Sequence, residues 1–308
     1  MSLSNARGVY VIAPTPFLDD GRVDNESVDR MTDFFLGAGV TGITILGQMG
    51  EAPKLDPREA LDVAQRVIRR STVPVIVGVS APGFAAMRPL ARSSMEAGAA
   101  GVMIAPPNTL RTDEQITTYF RQASEAIGHD VPFVLQDYPL TFSVLMTPAV
   151  IRRIVAENPA CAMLKHEDWP GLEKISALRG FEHDGGMRHI SILCGNGGLF
   201  LDFELERGAD GAMTGYCFPD MLAQAVQLHS DGQRDAMHDL FDAHLPLIRY
   251  EQQQGVGLAV RKYVLMRRGV IATEAQRKPA APLSAAARGE VDYLLERIAR
   301  VDPRAALP

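Results

Sequence analysis

Long apolar runs are missing from this 308-residue chain: no stretch approaches the roughly 20 apolar residues of a membrane helix, so no span is expected. The first residues, Met1 to Arg7, have no apolar core of the kind a secretory leader carries, and the short run that follows ends on Pro14 and Pro16. Cysteine is scarce. Cys161, Cys194 and Cys217 cannot all pair within one chain, and each lies in or beside an apolar segment, which suits free thiols in a reducing, cytoplasmic setting. Basic charge is also in deficit, with 31 Lys and Arg against 37 Asp and Glu and a net charge of −6. The arginines are scattered, so a nucleic-acid partner is not expected. Several motifs are absent as well. No G-x-G-x-x-G follows the first apolar run, and no P-loop, G-x-S-x-G, H-E-x-x-H or C-x-x-C occurs, which removes the usual nucleotide, serine-hydrolase and zinc signatures.

What is present is a chain 46% hydrophobic and 22% charged, able to bury a large core. Its 27 glycines and 20 prolines show no short repeat. Short apolar runs alternate with amphipathic helical stretches. Strands are expected at 9–13, 42–47, 74–78, 101–105, 132–135, 161–165, 190–194 and 211–214. Helices are expected at 26–37 with Asn25 as cap, then at 57–70, 83–97, 113–127, 148–158, 199–207 and 219–229, with one more between the sixth and seventh strands. Eight β-α units with right-handed crossovers give parallel strands with helices outside, and eight can close. The expected fold is therefore α/β, a (β/α)8 TIM barrel over residues 1–230. Residues 231–308 read as a helical extension packed on the barrel, with pieces at 236–254, 257–268 and 284–299.

A barrel places its chemistry at the carboxyl ends of its strands. There the most informative residue is Lys165, one of only five lysines, which directly follows the apolar 161–164 run. Partial desolvation there favours the neutral amine that a Schiff base needs. The competing reading is a lysine paired with Glu167 or Asp168. The 47–51 segment, Gly-Gln-Met-Gly-Glu, is either an anion cradle of backbone N–H groups or a plain turn, and the Gly195-Asn196-Gly197-Gly198 run is ambiguous in the same way. A metal site at His166, Glu167 and Asp168 is not expected, because adjacent strand residues face opposite ways.

Thr15-Pro16 closing the first strand, Gly-x-x-Gly-Glu at 47–51, Lys165 closing the sixth strand, the glycine-rich turn at 195 and the helical C-terminus together resemble the dihydrodipicolinate synthase and N-acetylneuraminate lyase family. The resemblance implies a cofactor-free lyase, usually tetrameric, whose lysine condenses with pyruvate or another 2-oxo acid while the 47–51 loop holds the carboxylate. By position, Lys165 is the expected nucleophile, and Gln48 and Met49 stand in the carboxylate loop. Thr15, Gly47, Gln136, Gly195 and Asn196 complete the expected substrate-binding set. The departures are informative. Gln48 and Met49 replace the family's Thr or Ser, and Gln136-Asp137-Tyr138-Pro139 stands where Tyr-Asn-x-Pro is usual. A two-residue shift keeps one face, so Tyr138 is the expected proton carrier, with Asp137 and His166 as other acid or base candidates. The family's fourth-strand aromatic is missing at Pro107-Asn108, and its arginine is replaced near Leu140-Thr141-Phe142. These losses argue against the synthase reaction and for another 2-oxo acid, such as a 2-keto-3-deoxy sugar acid undergoing aldol cleavage or dehydration. The synthase itself and a non-catalytic acid-binding barrel are the alternatives.

Overall fold

The computed structural model describes residues 2–307. Its first half runs β1 (Gly8–Ile12), α1 (Asn25–Gly37), β2 (Gly42–Ile45), α2 (Pro57–Arg70), β3 (Val75–Gly78), α3 (Phe84–Glu96), β4 (Gly101–Ile104) and α4 (Asp113–Ile127). Next come β5 (Phe133–Asp137), the short α5 (Pro139–Phe142), α6 (Pro148–Glu157), β6 (Cys161–His166) and α7 (Leu172–His183). The last units are β7 (Ser191–Cys194), α8 (Leu201–Glu206), β8 (Gly211–Ala212) and α9 (Pro219–Ser230). The eight strands are parallel, each bonded to the next, and β8 returns to β1 to close a (β/α)8 TIM barrel. Three helices follow: α10 (Arg234–Glu251), α11 (Gly257–Arg267) and α12 (Ala285–Ala299).

Local chemistry sets the helix starts. At α2, Asp56 accepts from the amides of Arg58 and Glu59 while Glu59 reaches back to the Asp56 amide, and Thr112 and Gln115 form the same reciprocal cap on α4. For α1 the expected cap was Asn25, but the capping side chain is Asp24, which accepts from the Ser27 amide at 3.1 Å. Either residue type caps well, and a shift of one position is decided by the turn that precedes it.

The period of two along each strand divides the core. Inside the barrel, Tyr10, Ile76, Met103, Val134, Met163, Leu193 and Met213 fill the axis, while the alternate residues pack outward against the helices. One layer above Met163 is Lys165, and one above Val134 is Gln136. The β5–β6 register places these two side by side. That register also pairs Asp137 with His166 on the outer face, away from the axis.

The outer layer holds a group with a pH consequence. Glu204 on α8 is buried behind β7 near the Cys194 thiol, with its Oε2 unpartnered, and burial pushes its carboxyl up to about 7. The native state therefore keeps a proton that the unfolded chain releases above its ordinary carboxylate value. Stability is fully present below that value and declines as pH rises toward and through about 7. Urea unfolding of Glu204→Gln is expected to match wild type near pH 5 and to show a gain of about 1–3 kcal/mol at pH 8. Equal pH dependence in both proteins would refute this.

The last helices are tied to the barrel mouth. His244 on α10 bridges the Tyr216 hydroxyl, just after β8, and Asp302, with both contacts at 2.8 Å. On α11, Lys262 is buried against Glu51 at 2.6 Å, and desolvation lowers its amine to about 8. No helix among the described residues is long and apolar enough to cross a membrane. All three cysteines are buried and unpaired.

Candidate active site

A cavity of about 540 Å3 opens at the carboxyl ends of the strands. Lys165 lines it from β6 and is only 5% exposed, and its Nζ lies 3.0 Å from Glu167 Oε2. The same carboxylate oxygen accepts from Gln136 Nε2 at 2.8 Å. The amine is therefore both buried and paired with a carboxylate. That partner is Glu167, because Asp168 is bound by Lys174 at 2.5 Å. A carboxylate so placed can take the ammonium's proton and free the nucleophile.

The turn after β7 keeps Glu167 in position. Asn196 Nδ2 donates to the Glu167 backbone carbonyl at 2.8 Å. A Cβ at Gly195 would collide with the Glu167 side chain, standing 2.6 Å from its Cδ, so only glycine lets the carboxylate turn inward. Gly195→Ala is accordingly expected to displace Glu167 from Lys165 and lower kcat about 10- to 100-fold with little change in melting temperature. A variant with unchanged kcat would contradict this role for the glycine.

The other expected residues separate into two groups. Gln48, Met49, Gln136, Tyr138 and Asn196 line the cavity with Lys165. Burial first, and then the charge of Glu167, holds the Tyr138 phenol above its ordinary value, so it remains an O–H donor at neutral pH. Thr15, Gly47 and Gly195 do not line it. The Thr15 hydroxyl is spent inside the fold, donating to the Gly50 carbonyl at 2.6 Å and bracing the 47–51 loop. Gly47 borders a neighbouring, mainly apolar cavity that Gln48 and Gln136 separate from the first. Glu51, with φ near 52°, is also structural: it binds Lys262, Lys54 and the Arg277 amide, pinning the loop to the C-terminal helices.

Two acid or base candidates are corrected. Asp137 and His166 face outward, where Asp137 Oδ2 binds Lys174 at 2.8 Å and lies 3.8 Å from His166 Nδ1. Alternation along the strands puts them on the opposite side from Gln136 and Lys165. Glu167 turns inward to Lys165, whereas Asp168 shares Lys174 with Asp137 on the outer side.

The C-terminal helices contribute residues that the sequence reading missed. Helix α10 stops at Glu251 rather than running to 254, and Gln252, Gln253 and Gln254 form a turn that lines the cavity with Arg261 of α11. Arg261 donates from Nε to Glu251 Oε2 at 2.8 Å and from Nη1 to Met49 Sδ at 2.8 Å. Three glutamines running into Gly255 were the available signal for that turn.

Residues 5–298 match the dihydrodipicolinate synthetase family. The chain is 33% identical over 304 residues to an L-2-keto-3-deoxyarabonate dehydratase of Azospirillum brasilense, covering 96% of this chain and 95% of that one. It is 29% identical to a 4-hydroxy-tetrahydrodipicolinate synthase of Chlorobium luteolum, covering 96% and 98%. The crystal structure of dihydrodipicolinate synthase from Rhodopseudomonas palustris superposes with a TM-score of 0.95 at 69% identity, covering 96% of this chain and 99% of that one. With the closed barrel and the lysine at the end of its sixth strand, these likenesses establish that this chain is a lyase of the dihydrodipicolinate synthetase family.

Proposed function

We propose that Lys165 forms a Schiff base with a 2-keto-3-deoxy sugar acid and that the protein dehydrates it. The observation that carries this reading is the buried Lys165–Glu167 pair at 3.0 Å, with Gln136 on the same carboxylate oxygen. Glu167 accepts the ammonium proton and the free amine attacks the C2 ketone. Glu167 returns that proton to the carbinolamine hydroxyl, which leaves as water and gives a protonated imine, an electron sink for the adjacent carbon. Glu167 then removes a C3 proton, and the electron pair forms the C3–C4 double bond as the C4 hydroxyl leaves with a proton from Tyr138. Hydrolysis of the imine returns the lysine.

Dehydration is favoured over aldol cleavage by what stands at 136. An amide has no proton to shuttle, and its donation to Glu167 leaves that carboxylate as the base beside the reacting carbons. The name of the Azospirillum brasilense relative, a 2-keto-3-deoxy acid dehydratase, supports the same chemistry. Borohydride reduction with pyruvate should add mass on Lys165 alone. Incubation with a 2-keto-3-deoxypentonate should yield a five-carbon product that has lost water. No adduct across a panel of 2-oxo acids would remove the reading, and pyruvate plus a two-carbon aldehyde would convert it to an aldolase.

The second reading is the synthase, favoured by 69% identity to the Rhodopseudomonas palustris protein described by that name. It requires condensation of pyruvate with aspartate semialdehyde, whose own carboxylate needs a cation. Against it, Arg261 and Lys54 in the lining are already bound to Glu251 and Glu51. Absence of the condensation product at saturating substrates would dismiss it. A cytoplasmic homo-oligomer, a tetramer by likeness to the family, belongs to this proposal, and sedimentation at micromolar concentration tests the assembly.

A further inference from the structure

The cavity is much larger than a three-carbon acid fills, and its lining has an unusual composition. Six of the chain's twelve glutamines face it: Gln48, Gln136, Gln252, Gln253, Gln254 and Gln276. Amides offer neutral donors and acceptors, the match for hydroxyl groups rather than for a second charge. The cations in the lining other than Lys165 are neutralised, Arg261 by Glu251 at 2.8 Å and Lys54 by Glu51 at 2.8 Å.

Within this lining, Gln252 stands out. Its Nε2 is buried yet has no hydrogen-bond partner among the described residues, an arrangement that costs stability unless a ligand supplies the acceptor. It packs directly over Gly197, where φ is +67° and a Cβ would collide with the amide. Arg261 Nη2 lies over the same spot, 3.2 Å from where that Cβ would be. Nε and Nη1 of Arg261 are engaged by Glu251 and Met49, which orient Nη2 over the turn. Two donors therefore converge above the β7 turn that also carries Asn196, next to the strand end that bears the lysine.

We propose that the turn between α10 and α11 is the specificity element of this enzyme: Gln252, backed by Arg261, hydrogen-bonds the hydroxyl-bearing tail of a 2-keto-3-deoxy sugar acid. The inference deepens the dehydratase reading and rests on it for the identity of the substrate's reactive end. The tail, not the carboxylate, is assigned here. The carboxylate belongs with the backbone of the 47–51 loop, and the tail of an acid held between that loop and Lys165 extends toward the rim.

The test uses the full-length protein and two probes. The first is the 2-hydroxy-3-deoxypentonate obtained by reducing the ketone, which forms no imine and so reads tail recognition independently of lysine chemistry. Calorimetry should show at least tenfold weaker binding to Gln252→Leu than to wild type. The second probe is pyruvate, which has no tail. Its half-saturation in borohydride trapping on Lys165 should change less than twofold in the same variant, which also reports an intact pocket. Equal affinity of the hydroxy acid for both proteins, or no binding to wild type, would overturn the inference. A parallel loss for pyruvate would overturn it too, by making Gln252 a carboxylate anchor or a general support of the pocket. Failure of wild type to trap pyruvate would count against the Schiff base alone, and the hydroxy-acid comparison would still decide the role of Gln252.

Discussion

Lys165→Ala is expected to lose at least about 10^4-fold in kcat and to take up no mass with pyruvate and borohydride, because the electron sink cannot form without the amine. The more discriminating variant is Lys165→Arg. Arginine keeps the positive charge beside Glu167 and preserves the buried pair, but its guanidinium does not condense with a ketone. If Lys165 served only as the ion-pair partner of Glu167, the arginine variant would retain activity. The proposed chemistry expects it to fold, to melt near wild type and to be as inactive as the alanine variant. Mass spectrometry of the trapped adduct and steady-state turnover on a 2-keto-3-deoxypentonate read the two outcomes.

The second large effect is at Glu167. Glu167→Gln keeps shape and hydrogen-bonding capacity but removes the base, and general acid–base contributions of this kind are worth about 10^2- to 10^4-fold. The expected result is a fall of that size in kcat. Trapping of pyruvate on Lys165 persists at high pH, where hydroxide and buffer take the ammonium proton. A deuterium label at C3 adds a direct readout: wild type should exchange C3 protons of bound pyruvate's imine with solvent, and the glutamine variant should exchange them more slowly by the same factor. Full exchange in Glu167→Gln would transfer the role to another group, with Tyr138 the next in the lining. Because Gln136 donates to the oxygen that also pairs with Lys165, Gln136→Leu provides a smaller companion effect, acting through the orientation of Glu167 rather than through proton transfer.

The catalytic strand illustrates how far a linear reading carries. Cys161 to Leu164 is apolar and followed by lysine, so both the strand and the amine at its end were readable from residue order. The period of two puts Gln136 and Lys165 on one face, and Tyr138 lines the same cavity. The same period should have assigned Asp137 and His166 to the outer face, since they alternate with Gln136 and Lys165. Residue type alone makes them acid or base candidates, and strand parity takes them out of the cavity. Thr15 shows a different failure: its place at a strand end was right, but a hydroxyl there has two destinations, and the nearby Gly50 carbonyl at 2.6 Å takes it.

Residue order alone determined the eight β-α units, their closure into a barrel and the lysine at the sixth strand's end, because apolar periodicity and strand parity are local properties carried by neighbouring residues. Tertiary structure decided which carboxylate meets that lysine, since the segment after β6 leaves the strand geometry and its side chains are aimed by Asn196 and by the space left at Gly195. It also decided that Gln252 and Arg261, almost ninety residues and more downstream, roof the cavity. No periodicity encodes such an approach. It results from buried contacts such as Lys262 on Glu51 and His244 on Asp302, which hold the last helices over the barrel mouth only once the barrel exists.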